Sequence, residues 1–295
     1  MTTLHLNASH TDDQRRKMIF GGDFFVYSTR DAVAALCAHA NGMIRETFAG
    51  LDPETAQFQF AVEEFAAKIG PLKSRFTNDL RTKEIIRDIL AAFGHDLTAT
   101  YFDVPRLRVV TSDNFLTAGV GYAYKAHRDI WYSSPESQIN WWLPVYDLAS
   151  ERTLAFYPKY WTQPLPNTSE GFDYNEWTRV ARTTATTQIK TDTRNHPLPT
   201  EPTDAANEMR LVLKSAESVL FSASHVHATV PNSSGKTRFS LDFRTVHLRD
   251  LETKAGSPNI DNRSKGTTLG DFMRAADFAP LTNVFSTETM TLKSA

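Results

Sequence analysis

From residue 98 to residue 246 the chain alternates apolar and polar residues in short runs that turn residues separate. A period of two residues is typical of β-strands, and many short strands without helices between them favour a sandwich, barrel or jelly roll. The middle of the chain is therefore predicted to be all-β. The predicted strands are 98–102, 106–111, 121–125, 129–132, 139–145, 154–157, 212–213, 219–221, 225–230 and 238–246.

The first third of the chain has helical periodicity instead. Apolar residues recur three and four positions apart in 32–44, 58–69 and about 79–93, and Asp52-Pro53 is expected to open the second of these helices. Gly50, Gly70-Pro71 and Gly94 are expected to end them. Segments 18–20 and 24–27 are predicted to be extended, and 268–279 is predicted to form a closing helix.

These patterns predict a single domain, 1–295, that is mainly β with a helical N-terminal third. Residues 1–97 would form a helical flank, 98–250 the β core, and 251–295 a C-terminal extension. Residues 158–202 are long, polar and rich in Thr, Pro and Asn, so we expect a lid-like insert.

Composition excludes several classes of function. The net charge is −2, and the one basic run longer than a pair, Arg15-Arg16-Lys17, follows two aspartates, so a nucleic-acid binder is not expected. The N-terminus lacks the apolar segment of a signal peptide, and no window is apolar enough for a membrane span. The single cysteine, Cys37, cannot form an internal disulfide. We expect a cytoplasmic protein, monomeric or homodimeric, with a small-molecule partner.

A histidine and an aspartate stand two residues apart in the predicted strand region. Side chains two apart on a strand point to the same face, so His127 and Asp129 could hold one metal ion. A lone His-x-Asp is weak evidence for a metal site. A distant histidine would complete the two-histidine, one-carboxylate set that binds Fe(II) and leaves positions open for a co-substrate and O2.

Two residues are candidates for the second histidine ligand. His225 and His227 both follow an apolar strand, and they would face the same way, so at least one of them packs or hydrogen-bonds without binding metal. Further along, Arg238 and Ser240 would project to one face and could hold a distal carboxylate. The alternative is a solvated strand face on which Arg238 pairs with Asp242.

The order of motifs resembles the Fe(II)- and 2-oxoglutarate-dependent dioxygenases, and within them the phytanoyl-CoA dioxygenase-like branch. The chain shows His-x-Asp, a tryptophan-bearing strand, a Pro-Lys-Tyr-Trp turn, a late histidine, Pro-Asn and Arg-x-Ser. In that branch a Pro-Asn pair and the 2-oxoglutarate arginine follow the metal-binding histidine at set distances. Pro231-Asn232 and Arg238 fit those distances from His227, so the resemblance selects His227 over His225 as the ligand. Segment 151–158 keeps only the leucine and proline of that branch's Asn-Gly-x-Leu-x-x-x-Pro turn.

The resemblance implies a double-stranded β-helix, a cupin-like jelly roll flanked by helices. It implies Fe(II) on His127, Asp129 and His227, with no catalytic residue beyond these ligands. Arg238 would hold the far carboxylate of 2-oxoglutarate, assisted by Ser240 or Thr229. O2 would complete the reaction, which releases succinate and CO2, and ascorbate is a candidate stimulant. Because halogenating members replace this carboxylate by a small residue, the aspartate favours hydroxylation or another oxidation.

Other polar and aromatic residues are candidates for cofactor and substrate contacts. Tyr122, Gln138 and Asn140 flank the His-x-Asp and could bind the second carboxylate of 2-oxoglutarate. Arg244 shares its strand face with Arg238, so it should contact either substrate or a structural carboxylate. The remaining substrate candidates are the aromatic residues Trp131 and Trp142, which are core residues in the alternative reading, and the cations Lys125 and Arg108.

Three functions follow from these residues. The first is hydroxylation of a small polar compound of specialised biosynthesis. The second uses the same cofactors for desaturation, cyclisation or demethylation. The third is a cupin-like metal-binding isomerase, or a ligand-binding protein, without redox chemistry. The Arg238-x-Ser240 pair distinguishes the third from the others, because such a protein has no need of a clamp for 2-oxoglutarate.

Overall fold

Four helices fill most of the first third of the chain in the computed structural model, which describes residues 2–181, 184–288 and 290–293. Thr11 caps the N-terminus of the first helix: its hydroxyl accepts from the backbone N–H of Gln14, and the Gln14 side chain accepts from Thr11 N–H. The elements are β1 (Leu4–Leu6), α1 (Asp12–Phe20), β2 (Phe24–Tyr27), α2 (Asp31–Thr47), α3 (Val62–Asn78) and α4 (Leu80–Ala92).

Three predictions for this region are wrong. Residues 18–20 are the last turn of α1 rather than an extended segment. The second helix begins at Val62, not near Asp52, and a short 3-10 turn (Ala56–Gln59) precedes it. Pro71 lies inside α3 instead of ending it. The helix continues through the proline because Ile69 and Leu72 on either side are both buried in the core, which offsets the missing backbone hydrogen bond.

The rest of the chain is built from short strands. The elements are β3 (Thr100–Phe102), β4 (Arg106–Val110), β5 (Ile139–Pro144), β6 (Leu154–Phe156), α5 (Tyr174–Glu176), β7 (Met209–Leu211), β8 (Ser218–Ser222), β9 (His227–Thr229), β10 (Arg238–His247), α6 (Leu248–Thr253), β11 (Met273–Arg274), β12 (Phe285–Ser286) and β13 (Thr291–Leu292). An eight-stranded sheet has the order β1-β2-β8-β5-β10-β3-β11, with β4 also on β10, and a three-stranded sheet has the order β7-β6-β9. Every pairing in these two sheets is antiparallel except β1 with β2.

The core is mainly β with helices, as predicted, although the described strands form open sheets rather than a closed barrel. Segments 121–125 and 129–132 are not strands: Gly119–Gly121 and Asp129–Tyr132 are 3-10 turns. The predicted strand 212–213 lies earlier, at Met209–Leu211. The closing helix predicted at 268–279 is a 3-10 turn (Thr268–Asp271) followed by β11.

The alternation along β10 separates the core from a cavity. Phe239, Leu241 and Phe243 pack against the helices, in the cluster that also holds Leu36 of α2 and Ile89 of α4. Arg238, Asp242 and Arg244, which alternate with these residues, line the cavity. The three-stranded sheet packs on the large one through a second apolar cluster, which includes Phe24, Phe156 and Phe221. None of the described helices combines the length and apolarity that a membrane span needs.

Candidate metal centre

Three buried side chains meet at one end of the space between the sheets. His127, Asp129 and His227 each bring a potential ligand atom, and these atoms all lie within 4.8 Å of one another. The Nε2 atoms of His127 and His227 are 3.3 Å and 3.9 Å from Asp129 Oδ1. This is the donor set and the closeness that a single divalent metal ion requires.

The chain reaches this arrangement without the shared strand that the His-x-Asp spacing predicted. His127 pairs with His227 through two backbone hydrogen bonds of 2.9 Å, an isolated bridge beside β9. Asp129 then opens a 3-10 turn, and its backbone N–H donates to Ala223 at 2.9 Å. The two residues therefore converge because each is tied to the segment that carries His227.

Backbone hydrogen bonds fix the orientation of both imidazoles. His127 Nδ1 lies 2.7 Å from the carbonyl oxygen of Lys125, and His227 Nδ1 lies 3.0 Å from that of His225. A carbonyl oxygen can only accept, so each Nδ1 carries the hydrogen and each Nε2 presents its lone pair to the centre. Such outer hydrogen bonds are the usual way in which a metal-binding histidine is oriented.

Asp129 is held as a carboxylate. Burial alone would raise its pKa, but the charge of Arg244, whose Nε is 3.5 Å from Oδ2, is the largest of the influences that bring the pKa well below its usual range. Gln138 Nε2 also donates to Oδ2 at 3.2 Å. Burial, reinforced by the neighbouring His127, lowers the pKa of His227 to about 4. A deprotonated carboxylate beside a neutral imidazole is the state that binds metal.

His225 has a structural position instead. Its Nε2 donates to the carbonyl oxygen of Gly22 at 3.1 Å, and its Nδ1 accepts from the backbone N–H of Ser222 at 3.2 Å. The ring packs between Phe24 and Trp161, with centroid distances of 4.1 Å and 4.5 Å. The prediction that His225 and His227 face the same way on one strand is wrong, because His225 lies in the turn before β9, where strand alternation does not apply.

A cavity of about 380 Å³ opens on the three residues, and Arg238 and Thr229 line it. Arg238 is 3% exposed, and its Nη1 donates to the carbonyl oxygen of Thr153 at 2.9 Å. Within the described chain, Arg238 Nε has no hydrogen-bond partner, and no carboxylate pairs with the guanidinium. Burial, with the nearby charge of Arg108, lowers the pKa of Arg238 to about 9. Ser240 Oγ, on the same face, is also buried without a described partner.

The alternative in which Arg238 pairs with Asp242 is wrong. Asp242 is held by Arg108, whose Nε and Nη2 donate to its two carboxylate oxygens at 2.6 Å and 3.0 Å. Arg108 lines the cavity, but its guanidinium is engaged by Asp242 through this bidentate pair. Arg244 also lines the cavity and is paired with a structural carboxylate, because its Nη1 donates to Asp103 at 3.0 Å.

Of the three residues predicted to bind the second carboxylate of 2-oxoglutarate, two line the cavity and one does not. Tyr122 and Asn140 line the cavity, and the ring of Tyr122 stacks on His196 with centroids 4.1 Å apart. Gln138 is fully buried behind them, where its Nε2 bridges Asp129 and Asn140 Oδ1 at 2.8 Å. Gln138 therefore orients a metal ligand and does not line the cavity.

Some of the aromatic and basic residues predicted to contact substrate line the cavity, and others do not. Trp142 lines the cavity, and the Arg238 guanidinium carbon lies 5.6 Å from its ring. Trp131 does not: it is fully buried in a separate apolar cluster, and its Nε1 donates to Asp261 at 2.7 Å. Lys125 is exposed outside the cavity, and only its backbone carbonyl reaches the centre, through His127. The structure therefore does not bring the side chains of Trp131 and Lys125 to the cavity.

Several cavity residues come from segments without a motif. Lys73 of α3 lines the cavity, as do Tyr124 before the His-x-Asp and Trp177 and Arg194 within the 158–202 segment. The length and polarity of that segment were a signal for an active-site cover. Nothing in the helical pattern of α3 distinguishes Lys73 from a surface lysine.

Comparisons with known proteins give structural neighbours at low identity. No family model and no curated protein matches the chain. The solved structures that resemble it include EvdO2 from Micromonospora carbonacea var. aurantiaca in complex with 2-oxoglutarate. That pair shares 13% identity over 82% of this chain and 93% of EvdO2, with a TM-score of 0.45.

Two further neighbours have similar values. The epimerase SnoN, in complex with Fe3+, α-ketoglutarate and nogalamycin RO, shares 13% identity over 85% of this chain and 98% of SnoN, with a TM-score of 0.42. AviO1 from Streptomyces viridochromogenes Tue57 shares 16% identity over 86% of this chain and 100% of AviO1, with a TM-score of 0.39. At these identities and TM-scores the likeness carries no functional argument, so function is inferred from this chain's own residues.

Proposed function

We propose that this protein is a non-haem Fe(II)- and 2-oxoglutarate-dependent oxygenase that hydroxylates a small-molecule substrate. We further propose that it belongs to the phytanoyl-CoA dioxygenase-like branch and that its two sheets correspond to a jelly-roll core. The observation that carries the proposal is Arg238, which is buried, has no carboxylate partner among the described residues and lines the same cavity as the His127–Asp129–His227 triad.

The triad fits the metal by its donor chemistry. Two neutral imidazoles and one carboxylate are the ligand set that suits Fe(II) while leaving coordination positions for other ligands. Both Nε2 lone pairs and the Asp129 carboxylate are directed to one point by hydrogen bonds that do not themselves involve metal. A pre-oriented set of this kind favours metal binding over rearrangement of the chain.

Arg238 fits the distal carboxylate of 2-oxoglutarate. A buried guanidinium without a counter-ion is costly, and a ligand carboxylate would remove that cost by a charge-assisted pair. The Nε of Arg238, which has no partner among the described residues, is a donor available to such a carboxylate, with Thr229 also on the cavity wall. Ser240 is fully buried beside Arg238 and is not among the lining residues. Asn140 and Tyr122 are candidates for the other end of the co-substrate.

Bound Fe(II) and 2-oxoglutarate would supply oxidation by O2, in which decarboxylation to succinate and CO2 accompanies transfer of one oxygen atom to the substrate. The chain contributes binding and orientation. Asp129 and the histidines hold the metal, Gln138 and Arg244 hold Asp129, and Arg238 sets the direction of the co-substrate. Trp142 and Tyr124 line the wall, where apolar surface limits the access of water to the reacting atoms.

The proposal is tested by anaerobic addition of Fe(II) and 2-oxoglutarate to the purified protein. A visible metal-to-ligand absorption band is expected, followed by slow succinate formation when air is admitted. Asp129→Ala and His127→Ala should abolish both signals. A protein that binds Fe(II) but gives neither the band nor succinate would favour the isomerase or ligand-binding alternative.

The two late histidines provide the matched control. His227→Ala is expected to abolish the band because it removes a ligand. His225→Ala is expected to keep the band and to lower stability, because it removes a buried ring with two hydrogen bonds. The opposite pattern, with the band lost in the His225 variant and kept in the His227 variant, would refute the ligand assignment.

A further inference from the structure

Lys73 is a basic residue of the cavity with which no acidic side chain of the described residues pairs. It lies on α3, and its Nζ donates to the carbonyl oxygen of Val120 at 2.6 Å. The acidic residue that acts on it most strongly is Asp242, which Arg108 already holds with two nitrogens. Among the described residues, no carboxylate forms an ion pair with Lys73. Two of the three hydrogens of its ammonium group are therefore available to a ligand.

The other cavity cations are accounted for. Arg108 has Asp242, and Arg194 has both oxygens of Asp192, at 2.8 Å and 2.5 Å. Arg106 and Arg244 share Asp103, at 2.5 Å and 3.0 Å. Arg238 is the cation assigned above to 2-oxoglutarate. Lys73 alone is then left with neither a protein carboxylate nor a cofactor group.

The charges of the loaded cavity are therefore unbalanced. The residues that line it, with their direct partners, bring six basic side chains, Lys73 and the arginines 106, 108, 194, 238 and 244, against four carboxylates, those of Asp103, Asp129, Asp192 and Asp242. Fe(II) and the dianion of 2-oxoglutarate cancel each other. An excess of positive charge remains, and in a water-poor site it favours an anionic ligand.

We propose that Lys73 binds the anionic group, a carboxylate or a phosphate, of a small aromatic substrate whose oxidised carbon lies toward the metal. The inference rests on the proposed function and names its substrate class. A lysine ammonium is a compact point charge that suits either anion. The rings of Tyr122, Tyr124 and Trp177 line the same cavity and offer faces on which a planar substrate can stack.

Position and size support this assignment. The charged residues that act most strongly on Lys73 are Arg108, Asp242, Arg194 and Arg106, whereas those that act on Asp129 are Arg244 and the two histidines. Lys73 comes from α3 and donates to Val120, whereas the triad comes from the 127–129 segment and β9, so they line one cavity from different elements. Its volume of about 380 Å³ is near the lower end of the range for ligand pockets, about 300–1,000 Å³. With 2-oxoglutarate bound, the remaining space suits a small molecule.

The test is a calorimetric titration of the protein loaded with Ni(II) and 2-oxoglutarate, so that no turnover consumes the probe. The probes are phenylpropionate, phenyl phosphate and the neutral phenylpropanamide. At least one acid is expected to bind about tenfold or more tightly than the amide, since a buried charge pair contributes at least about that ratio. Comparison of the two acids distinguishes a carboxylate from a phosphate ligand.

Variants assign the preference to Lys73. Lys73→Met should remove the preference for the acid, and Lys73→Arg, which keeps the charge, should retain much of it. Lys68→Met on the same helix, outside the cavity lining, is the control that should behave as the natural protein. Equal binding of acid and amide, no binding of either acid, or a preference that survives Lys73→Met would each overturn the inference.

Failure of the proposed function would give a different result. If 2-oxoglutarate does not bind, the titration is repeated with Ni(II) alone, where both Lys73 and Arg238 are open to the acid. A preference that is lost in Lys73→Met but kept in Arg238→Met would then support the Lys73 site while refuting the oxygenase. Loss in Arg238→Met alone would refute the Lys73 site.

Discussion

The guanidinium of Arg244 lies 3.5 Å from the carboxylate of Asp129, and its other end donates to Asp103 at 3.0 Å. It is the strongest of the positive charges acting on Asp129 in the metal-free protein. A bound metal ion would supply part of the positive charge that Arg244 provides to the Asp129 carboxylate. Arg244 thus links the stability of the apoprotein to the metal centre.

Arg244→Met is therefore expected to destabilise the protein more without metal than with it. Breaking a buried ion pair costs about 3–5 kcal/mol, because the partner carboxylate remains buried. Here the Asp129 part of that cost should be relieved by Ni(II), which pairs with the carboxylate instead. Thermal unfolding of the natural protein and the variant, each with and without Ni(II), measures the difference.

Arg106→Met provides the control for that prediction. Arg106 donates to the same Asp103 at 2.5 Å, but it makes no contact with Asp129. Its loss of stability should be the same with and without Ni(II). If metal rescues both variants equally, the link between Arg244 and Asp129 is not specific.

Arg238→Met should weaken 2-oxoglutarate binding and leave the apoprotein at least as stable as before. Removing one partner of a buried charge pair lowers affinity by about 2–5 kcal/mol, or about 30-fold and more. The apoprotein loses no ion pair, because Arg238 lacks a described carboxylate partner and its burial as a cation is unfavourable. Titration with 2-oxoglutarate and chemical unfolding measure the two effects.

Arg108→Met is the matched comparison, because Arg108 lines the same cavity but is paired in a bidentate manner with Asp242. That variant should lose stability, since Asp242 is left without its counter-ion. An Arg238 variant that loses as much stability as the Arg108 variant would argue that Arg238 has a structural function only.

The pattern of β10 shows how far the sequence could be followed. Its alternation predicted a strand at 238–246, and the strand is Arg238–His247, with Phe239 and Leu241 in the core and Arg238 on the cavity side. The alternation is informative because the strand lies between an apolar cluster and a polar cavity, so each face has a different environment.

The region around the metal centre follows other rules. Asp129 is in a 3-10 turn held by the carbonyl oxygen of Ala223 and ended by Ser133 in the left-handed region, with φ of 63°. These constraints come from residues far along the chain, so period-two alternation at 127–132 predicts the wrong element. The same holds for Lys73, whose place in the cavity depends on how α3 packs against β4 and not on its local sequence.

Gln138→Leu is expected to lower metal affinity about 10–100-fold, the usual effect of removing a group that orients a ligand. Gln138 Nε2 donates to both Asp129 Oδ2 and Asn140 Oδ1, at 3.2 Å and 2.8 Å. Leucine keeps the volume but leaves both acceptors without this donor. Competition with a chelator for Ni(II) gives the affinity, and thermal unfolding gives the accompanying loss of stability.

Gln57→Leu serves as the control for Gln138. Gln57 is also fully buried but lies outside the cavity lining. Its Nε2 donates to the carbonyl oxygen of Ser112 at 3.1 Å, and its Oε1 accepts from Ser112 N–H and from the Thr237 hydroxyl, each at 2.8 Å. It should lose stability by a comparable amount, about 1–3 kcal/mol for buried groups left unsatisfied, and keep its metal affinity. Equal losses of affinity in both variants would indicate a global effect.

Lys73→Met should stabilise the protein, and more so in mild acid than in mild base. Burial, followed by the charge of Arg108, lowers the pKa of Lys73 from 10.5 to about 7. Below pH 7 the lysine is protonated in both the folded and the unfolded state, so the folded protein bears the full cost of enclosing a charge. Between pH 7 and 10.5 the unfolded state binds more protons, and stability rises with pH as that cost is relieved.

The gain from Lys73→Met, which removes the ionisable group, must therefore be largest below pH 7 and fade as pH approaches 10.5. Melting temperatures of the natural protein and the variant at about pH 6 and about pH 9 test this, because all other titrating groups are common to both. Lys68→Met should give the same small change at both values. A Lys73 variant whose melting temperature is shifted equally at both would mean that the lysine is not enclosed as a free cation, and it would weaken the case for an anionic substrate at α3.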